Sequence, residues 1–121
     1  MPVDDSRISG FYALDANERR KIISERTGIS ADDMTPWSNP DSMDVDTADR
    51  MIENVVGRYS LPVGIGMNFL VNGMPRLIPF CVEESSIVAA ASNIAKRAHS
   101  CGGFNTEMDP PRMIGQLQIL D

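Results

Sequence analysis

Phe80-Cys81-Val82-Glu83-Glu84-Ser85-Ser86-Ile87-Val88-Ala89-Ala90-Ala91-Ser92 runs from an apolar, strand-like segment through two adjacent carboxylates into a helix of small residues. An acid at the edge of a core has an adjustable proton affinity, whereas one on an open face does not. Glu83 and Glu84 therefore mark a strand-to-helix junction where acid–base chemistry is available, and the elements on either side decide the fold.

Toward the amino terminus, residues 60–71 and 75–82 are two runs rich in Val, Ile, Leu and Phe. They meet across Asn72-Gly73, a dipeptide that tolerates the positive φ angles of a tight hairpin turn. Gly64 and Gly66 spell G-x-G inside the first run, with no third glycine opening a helix, so a dinucleotide-binding fingerprint is not supported. A bulge or a close backbone approach explains them better.

Toward the carboxyl terminus, residues 86–100 form a helix whose expected packed face is Ile87, Ala91, Ile94, Ala95 and Ala98. Lys96, Arg97 and His99 fall in its last turns, where cations suit the negative end of the helix dipole. Gly102-Gly103 ends the helix and Asp109-Pro110-Pro111 breaks the chain. The alternation of Met113 through Leu120 predicts a strand. Domains seldom stop on a strand without a tail, so the chain is expected to be the amino-terminal part of something longer.

The first half carries further helical signals. Asp15 as N-cap, Glu18 three residues on and Gly28 at the far end frame a helix over residues 15–27. Ile8, Phe11 and Leu14 lie in a glycine-broken segment and are expected to anchor on another surface. A capped turn begins at Ser30, and Pro36, Pro40 and the Asn39-Pro40-Asp41 cluster impose an irregular connection. Trp37 within it is expected to pack, the alternative being a ligand platform. Met51, Ile52, Val55 and Val56 recur at helical spacing over residues 46–56, with Gly57 as the stop. On spacing alone, Glu53 and Asn54 belong to solvent.

Bulk properties bound the class. The 121 residues suit one folding unit with one core, and 42% hydrophobic and 23% charged residues are globular proportions. No apolar run reaches the roughly 18 residues of a membrane span, and the acidic Met1-Pro2-Val3-Asp4-Asp5 start reads as no secretory signal. A cytoplasmic location without membrane association is expected. The net charge of −6 is the wrong sign for holding nucleic acid through its phosphates. Residues 1–50 carry eleven acids against six bases and residues 51–121 six against five. A polyanionic ligand would need a local cluster such as Arg19-Arg20-Lys21 or Lys96-Arg97. Cys81, Cys101 and the single His99 match no metal spacing, so no metal is expected and both cysteines read as reduced thiols.

The assembled blocks resemble hydroxymethylglutaryl-coenzyme A reductase of the bacterial and archaeal class, class II. The resemblance rests on Ser6-Arg7-Ile8-Ser9-Gly10-Phe11-Tyr12, on Met51-Ile52-Glu53-Asn54-Val55-Val56-Gly57, on Leu61-Pro62 with Asn68-Phe69-Leu70-Val71-Asn72-Gly73, and on Val82 through Ser92. The Glu-Asn-Val-Val-Gly block and the block beginning Glu83-Glu84 are the specific ones, and four blocks in order cover nearly the whole chain.

The resemblance implies an α+β fold of amino-terminal helices, a β-hairpin and an alanine-rich helix. Residues 1–121 would form the amino-terminal portion of the large, substrate-binding and dimerising domain, without the nicotinamide-binding small domain. It implies interconversion of hydroxymethylglutaryl-coenzyme A with mevalonate and coenzyme A, using two NAD(H) or NADP(H) bound mainly by residues outside this chain. Glu84 corresponds to the catalytic glutamate, a general acid/base, while the family's lysine, aspartate and histidine have no counterparts here, so turnover by this chain alone is not expected. Such a carboxyl must be partly protonated at working pH; burial and a neighbouring acid favour the proton, and a helix amino terminus opposes it.

Ser86 matches the family's substrate-binding serine, although a serine there, or Ser85 beside it, can equally cap the helix. Ser85 stands where the family usually has proline. Glu53, Asn54 and Gly57 correspond to the dimerisation element that borders the active site, which implies a homodimer in the complete protein and reverses the solvent assignment made from spacing. His99 does not match the family's catalytic histidine and reads as a helix-end residue. The alternative from another class is a noncatalytic dimerising or interaction module built on the 46–56 surface.

Overall fold

The structure is a computed structural model that describes residues 1–39 and 42–119. Pro40 and Asp41 of the expected irregular connection, and Leu120 at the end of the expected last strand, lie outside the described residues.

Helix α1 spans Ala16–Thr27 and begins as its sequence dictates. The Asp15 carboxylate accepts from the Asn17 and Glu18 amides at 2.8 Å each, and Glu18 accepts from the Asp15 amide at 3.0 Å. This capping box supplies partners at the otherwise orphaned helix start. Gly28, in the left-handed region at φ 71°, closes the helix by donating to the Ser24 carbonyl at 2.9 Å. Ile23, one of only two isoleucines on this polar helix, is buried in a core cluster with Phe11, Met34 and Leu77. Ile8 and Leu14 pack around that cluster, so the glycine-broken segment anchors as its residues suggest.

Strands β1 (Val63–Val71) and β2 (Met74–Cys81) form the antiparallel hairpin, paired from Val63↔Cys81 to Val71↔Met74. Asn72 at φ 50° and Gly73 at φ 75° make the two-residue turn, the conformation that matches the twist of the strands it joins. The register shifts between Gly66 and Phe69. There the freed amide of Met67 donates to Ser92 Oγ at 3.0 Å, and that of Asn68 donates to the Ser6 carbonyl at 3.1 Å. Gly64 and Gly66 thus precede a bulge and also permit close approach. A Cβ on Gly64 would stand 2.9 Å from Val88 Cγ2, and one on Gly66 2.5 Å from Phe80 Cε2.

Met1–Val3 run along the outer edge of β2, where Met1 exchanges hydrogen bonds with Leu77 at 3.0 Å in both directions. This partly covers an edge whose Pro75 and Pro79 already lack donors. Helix α3, Ile87–His99, packs against β1, and Gly102 and Gly103, both at positive φ, turn the chain back so that Phe104 pairs with Val71 and stacks on Phe69. The hairpin therefore carries the α1 cluster through Ile65, Met67 and Leu77, and α3 through β1.

Three expectations are corrected. Helix α2 covers only Val45–Asp49, after which the chain turns and Met51, Ile52 and Val56 are exposed. Spacing alone cannot hold a helix that finds no surface to bury its apolar stripe, and Gly57 is not its stop. Residues 113–119 form no strand, since alternation gives strand structure only beside a partner ladder. On α3 the buried positions are Ser92 and Ala95, with Val88, Ala91 and Ala98 half-buried, while Ile87 and Ile94 are exposed. The helix is rotated so that Val88 and its small residues, rather than its isoleucines, meet β1.

Candidate active site

The junction between β2 and α3 is fixed at both ends. Beyond Cys81, the Val82 amide donates to the Pro62 carbonyl at 3.1 Å, extending the hairpin pairing by one step. At the helix end, Ser86 is the residue before the first turn, and its carbonyl accepts from Ala90 at 2.8 Å. Ser86 sits at φ 69°, ψ −16°, a left-handed conformation that costs an L-residue about 1 kcal/mol or more. Its hydroxyl makes no cap to the helix amides, so the capping role that residue type allows is not the one it plays.

Glu83, Glu84, Ser85 and Ser86 are all exposed, which corrects the expectation that the two acids sit at the edge of a core: the residues of this chain do not bury them. They rim a concavity of about 380 Å³ whose opposite wall is Pro62, Val63 and Gly64, with Val82 and Val88 beside them. The sequence-predicted pair Glu84 and Ser86 is thus brought together on one surface, at the positive end of a 13-residue helix. Pro62, Gly64 and Val88 belong to that surface, and although the motif blocks and the G-x-G contain them, none is read there as a site residue. The signal that points to them is the glycine inside a strand, which marks a close approach.

A second, larger cleft of about 590 Å³ lies across the same Pro62–Gly64 wall and is lined by Phe11, Arg19, Arg20 and Trp37 among others. Trp37 is partly exposed there, at the rim of a cleft and not as a buried packing lid. The arginines of the basic cluster face this cleft but are engaged locally. Arg19 donates to the Phe11 and Tyr12 carbonyls at 3.1 and 2.9 Å, and Arg20 donates to the Asn17 side chain.

Glu53, Asn54 and Gly57 line neither cavity. All three are exposed, on a segment without helix or strand in which Asn54 adopts φ 56°. His99 ends α3 with Nδ1 3.3 Å from the Asn68 carbonyl, a structural contact away from the junction. Cys81 and Cys101 are free and exposed. Among the described residues, no group of three or more His, Cys, Asp or Glu is placed to hold a metal, and no helix is long and apolar enough to cross a membrane.

Residues 15–121 match the model of the family described as hydroxymethylglutaryl-coenzyme A reductase. The chain belongs to that family. It is 47% identical over 114 residues to 3-hydroxy-3-methylglutaryl-coenzyme A reductase of Archaeoglobus fulgidus, covering 94% of this chain and 26% of that relative. It is 35% identical over 94 residues to a probable reductase of Borreliella burgdorferi, covering 74% of this chain and 21% of that one. The chain spans about a quarter of the length of these two relatives.

The fold agrees with the family. A Streptococcus pneumoniae reductase superposes with a TM-score of 0.72 at 36% identity, covering 82% of this chain and 24% of that one. A class II reductase from the same organism, bound to NADPH in open conformations, superposes with a TM-score of 0.70 at 36% identity over 80% of this chain and 26% of its own. The α+β arrangement of helices around an antiparallel hairpin is thus the arrangement of this part of the reductase fold. Gly64 and Gly66 form no phosphate cradle for a nicotinamide dinucleotide, because the space beside them is filled by Val88, Phe69 and Phe80.

Proposed function

We propose that this chain is the amino-terminal portion of the large domain of a hydroxymethylglutaryl-coenzyme A reductase and supplies Glu84 as general acid/base. The observation that carries the reading is that Glu84 and Ser86 line one concave surface, in a chain of this reductase family. The reaction is the interconversion of hydroxymethylglutaryl-coenzyme A with mevalonate and coenzyme A, with two NAD(H) or NADP(H) held mainly by residues outside this chain.

In reduction, the substrate carbonyl oxygen gains negative charge, and Glu84 as general acid delivers the compensating proton. A group in this role contributes about 10²–10⁴-fold to the rate. Ser86 Oγ hydrogen-bonds the hydroxymethylglutaryl group, a role supported by its freedom from helix capping. The amino terminus of α3 adds a positive potential for an anionic substrate. Glu53, Asn54 and Gly57 form the border of a homodimer, for which their exposure leaves them available. This chain by itself lacks the family's lysine, aspartate and histidine and does not turn over; the assembled enzyme is cytoplasmic.

The test is complementation. The chain is combined with a downstream partner carrying those three groups, and cofactor oxidation is followed with the thioester substrate. Activity is expected only in the combination and is expected to drop at least a hundredfold with Glu84→Gln. Full activity of the Glu84→Gln form would sink the assignment.

A further inference from the structure

We infer that Ser92 is a positioning residue for the Glu84–Ser86 junction: its hydroxyl seats the first two turns of α3 on the β1 bulge and thereby sets where the acid stands against the Pro62–Gly64 wall. The inference rests on the reading of Glu84 as acid/base given above.

The bulge leaves the Met67 amide without a ladder partner. In a part-buried setting such a donor costs free energy unless something accepts from it. Ser92 Oγ accepts from it at 3.0 Å and donates in turn to the Val88 carbonyl at 2.8 Å. One hydroxyl therefore links the bulge to the first turn of α3. The Ser92 carbonyl is held as well, accepting from Asn68 Nδ2 at 3.1 Å.

Val88, the residue so tied, presses on Gly64, where the position of a missing Cβ lies 2.9 Å from Val88 Cγ2. Val88 and Gly64 line the same concavity as Glu84 and Ser86. The helix is thus fixed to β1 at two successive turns, on the side that carries the junction at its head. Burial alone would favour an apolar residue at position 92, as at Val88, Ala91, Ala95 and Ala98; the bulge amide is met there by a hydroxyl acceptor.

Ser6 provides the internal control. It is fully buried, its carbonyl takes the other bulge amide, and its hydroxyl donates to the Phe69 carbonyl of β1 at 3.0 Å and not to α3. Loss of either hydroxyl removes a buried hydrogen bond, but only that of Ser92 loosens the helix that carries the junction.

The experiment compares Ser92→Ala, Ser92→Cys, Ser6→Ala and Glu84→Gln in the assembled reductase, with kcat and KM measured on the folded fraction and amide exchange followed at Met67. Ser92→Ala is expected to lower kcat by about ten- to a hundredfold, the scale of a misplacement near 1 Å, with KM nearly unchanged and faster exchange at Met67. Ser92→Cys, which keeps a weak acceptor, is expected to fall between and carries the test should the alanine form not fold. Ser6→Ala is expected to keep the parent kcat. Parental kcat in both Ser92 variants, or in the cysteine form where it alone folds, overturns the inference while an inactive Glu84→Gln leaves the acid/base reading standing. Equal losses in Ser6→Ala and Ser92→Ala overturn it too, reducing Ser92 to general stability. An active Glu84→Gln overturns the underlying reading instead.

Discussion

The segment from Val63 to Phe104 and the segments 50–62 and 105–119 have a similar share of large apolar residues, 15 of 42 against 11 of 28, but different fates. In the first, strand pairs with strand, α3 lies on β1, and the bulge amides find partners in Ser6 and Ser92. In the others Val56, Met113 and Leu117 are 103%, 98% and 96% exposed. Hydrophobicity gives a segment something to gain from burial, but structure follows only where a complementary surface exists within reach.

The largest expected test of this contrast is a pair of truncations. Leu77 has no exposed surface, so Leu77→Ala leaves a cavity in the cluster with Phe11, Ile23 and Met34 and is expected to cost about 2–5 kcal/mol. Leu117→Ala removes the same atoms from an open position and is expected to stay within about 0.5 kcal/mol. Chemical denaturation of the two variants measures both, and equal losses would break the comparison.

A smaller effect is expected from adding atoms where the packed half is tightest. Gly66→Ala places a methyl against the Phe80 and Phe69 rings and is expected to cost about 1–3 kcal/mol. Phe80→Leu in the same chain is expected to recover part of that loss, read as a shift in the denaturation midpoint. Next comes the cap: Asp15→Ala removes the acceptor for two amides of α1 and is expected to cost about 1 kcal/mol, visible as reduced helicity and a lower midpoint.

The smallest effect belongs to the open side. Asp44 accepts from Thr47, and these hydrogen bonds, with a lesser attraction to Arg58, lower its carboxyl from the usual 3.8. A carboxylate whose folded-state affinity for protons is depressed stabilises the fold at pH values above 3.8, and that contribution fades as pH falls through the lower folded value. An NMR titration of the Asp44 carboxyl is expected to give a midpoint below 3.8, with Asp44→Asn removing this pH dependence from the stability of the α2 turn.

The elements legible in the sequence are those whose signals are local. Asp15, Glu18 and Gly28 specify both ends of α1 within the helix itself, and Asn72-Gly73 specifies its turn by backbone sterics. The Glu83–Ser86 junction was legible for the same reason, as a strand, a turn and a helix in immediate succession. The end of α2 at Asp49 and the lack of a strand at residues 113–119 were not, because periodicity records which face would be buried and not whether anything buries it.

What the sequence by itself determined is the set of local elements, the hairpin turn and membership of the reductase family, since propensities, caps and motif blocks are read from residues close in the chain. The tertiary structure alone decided how α3 is rotated and where Glu84 and Ser86 stand. That rotation depends on contacts between residues 24 or more apart, Gly64 with Val88 and Met67 with Ser92. A missing side chain and an unpaired amide there outweighed the larger apolar area of Ile87 and Ile94, because close packing and satisfied buried donors constrain geometry more sharply than undirected burial.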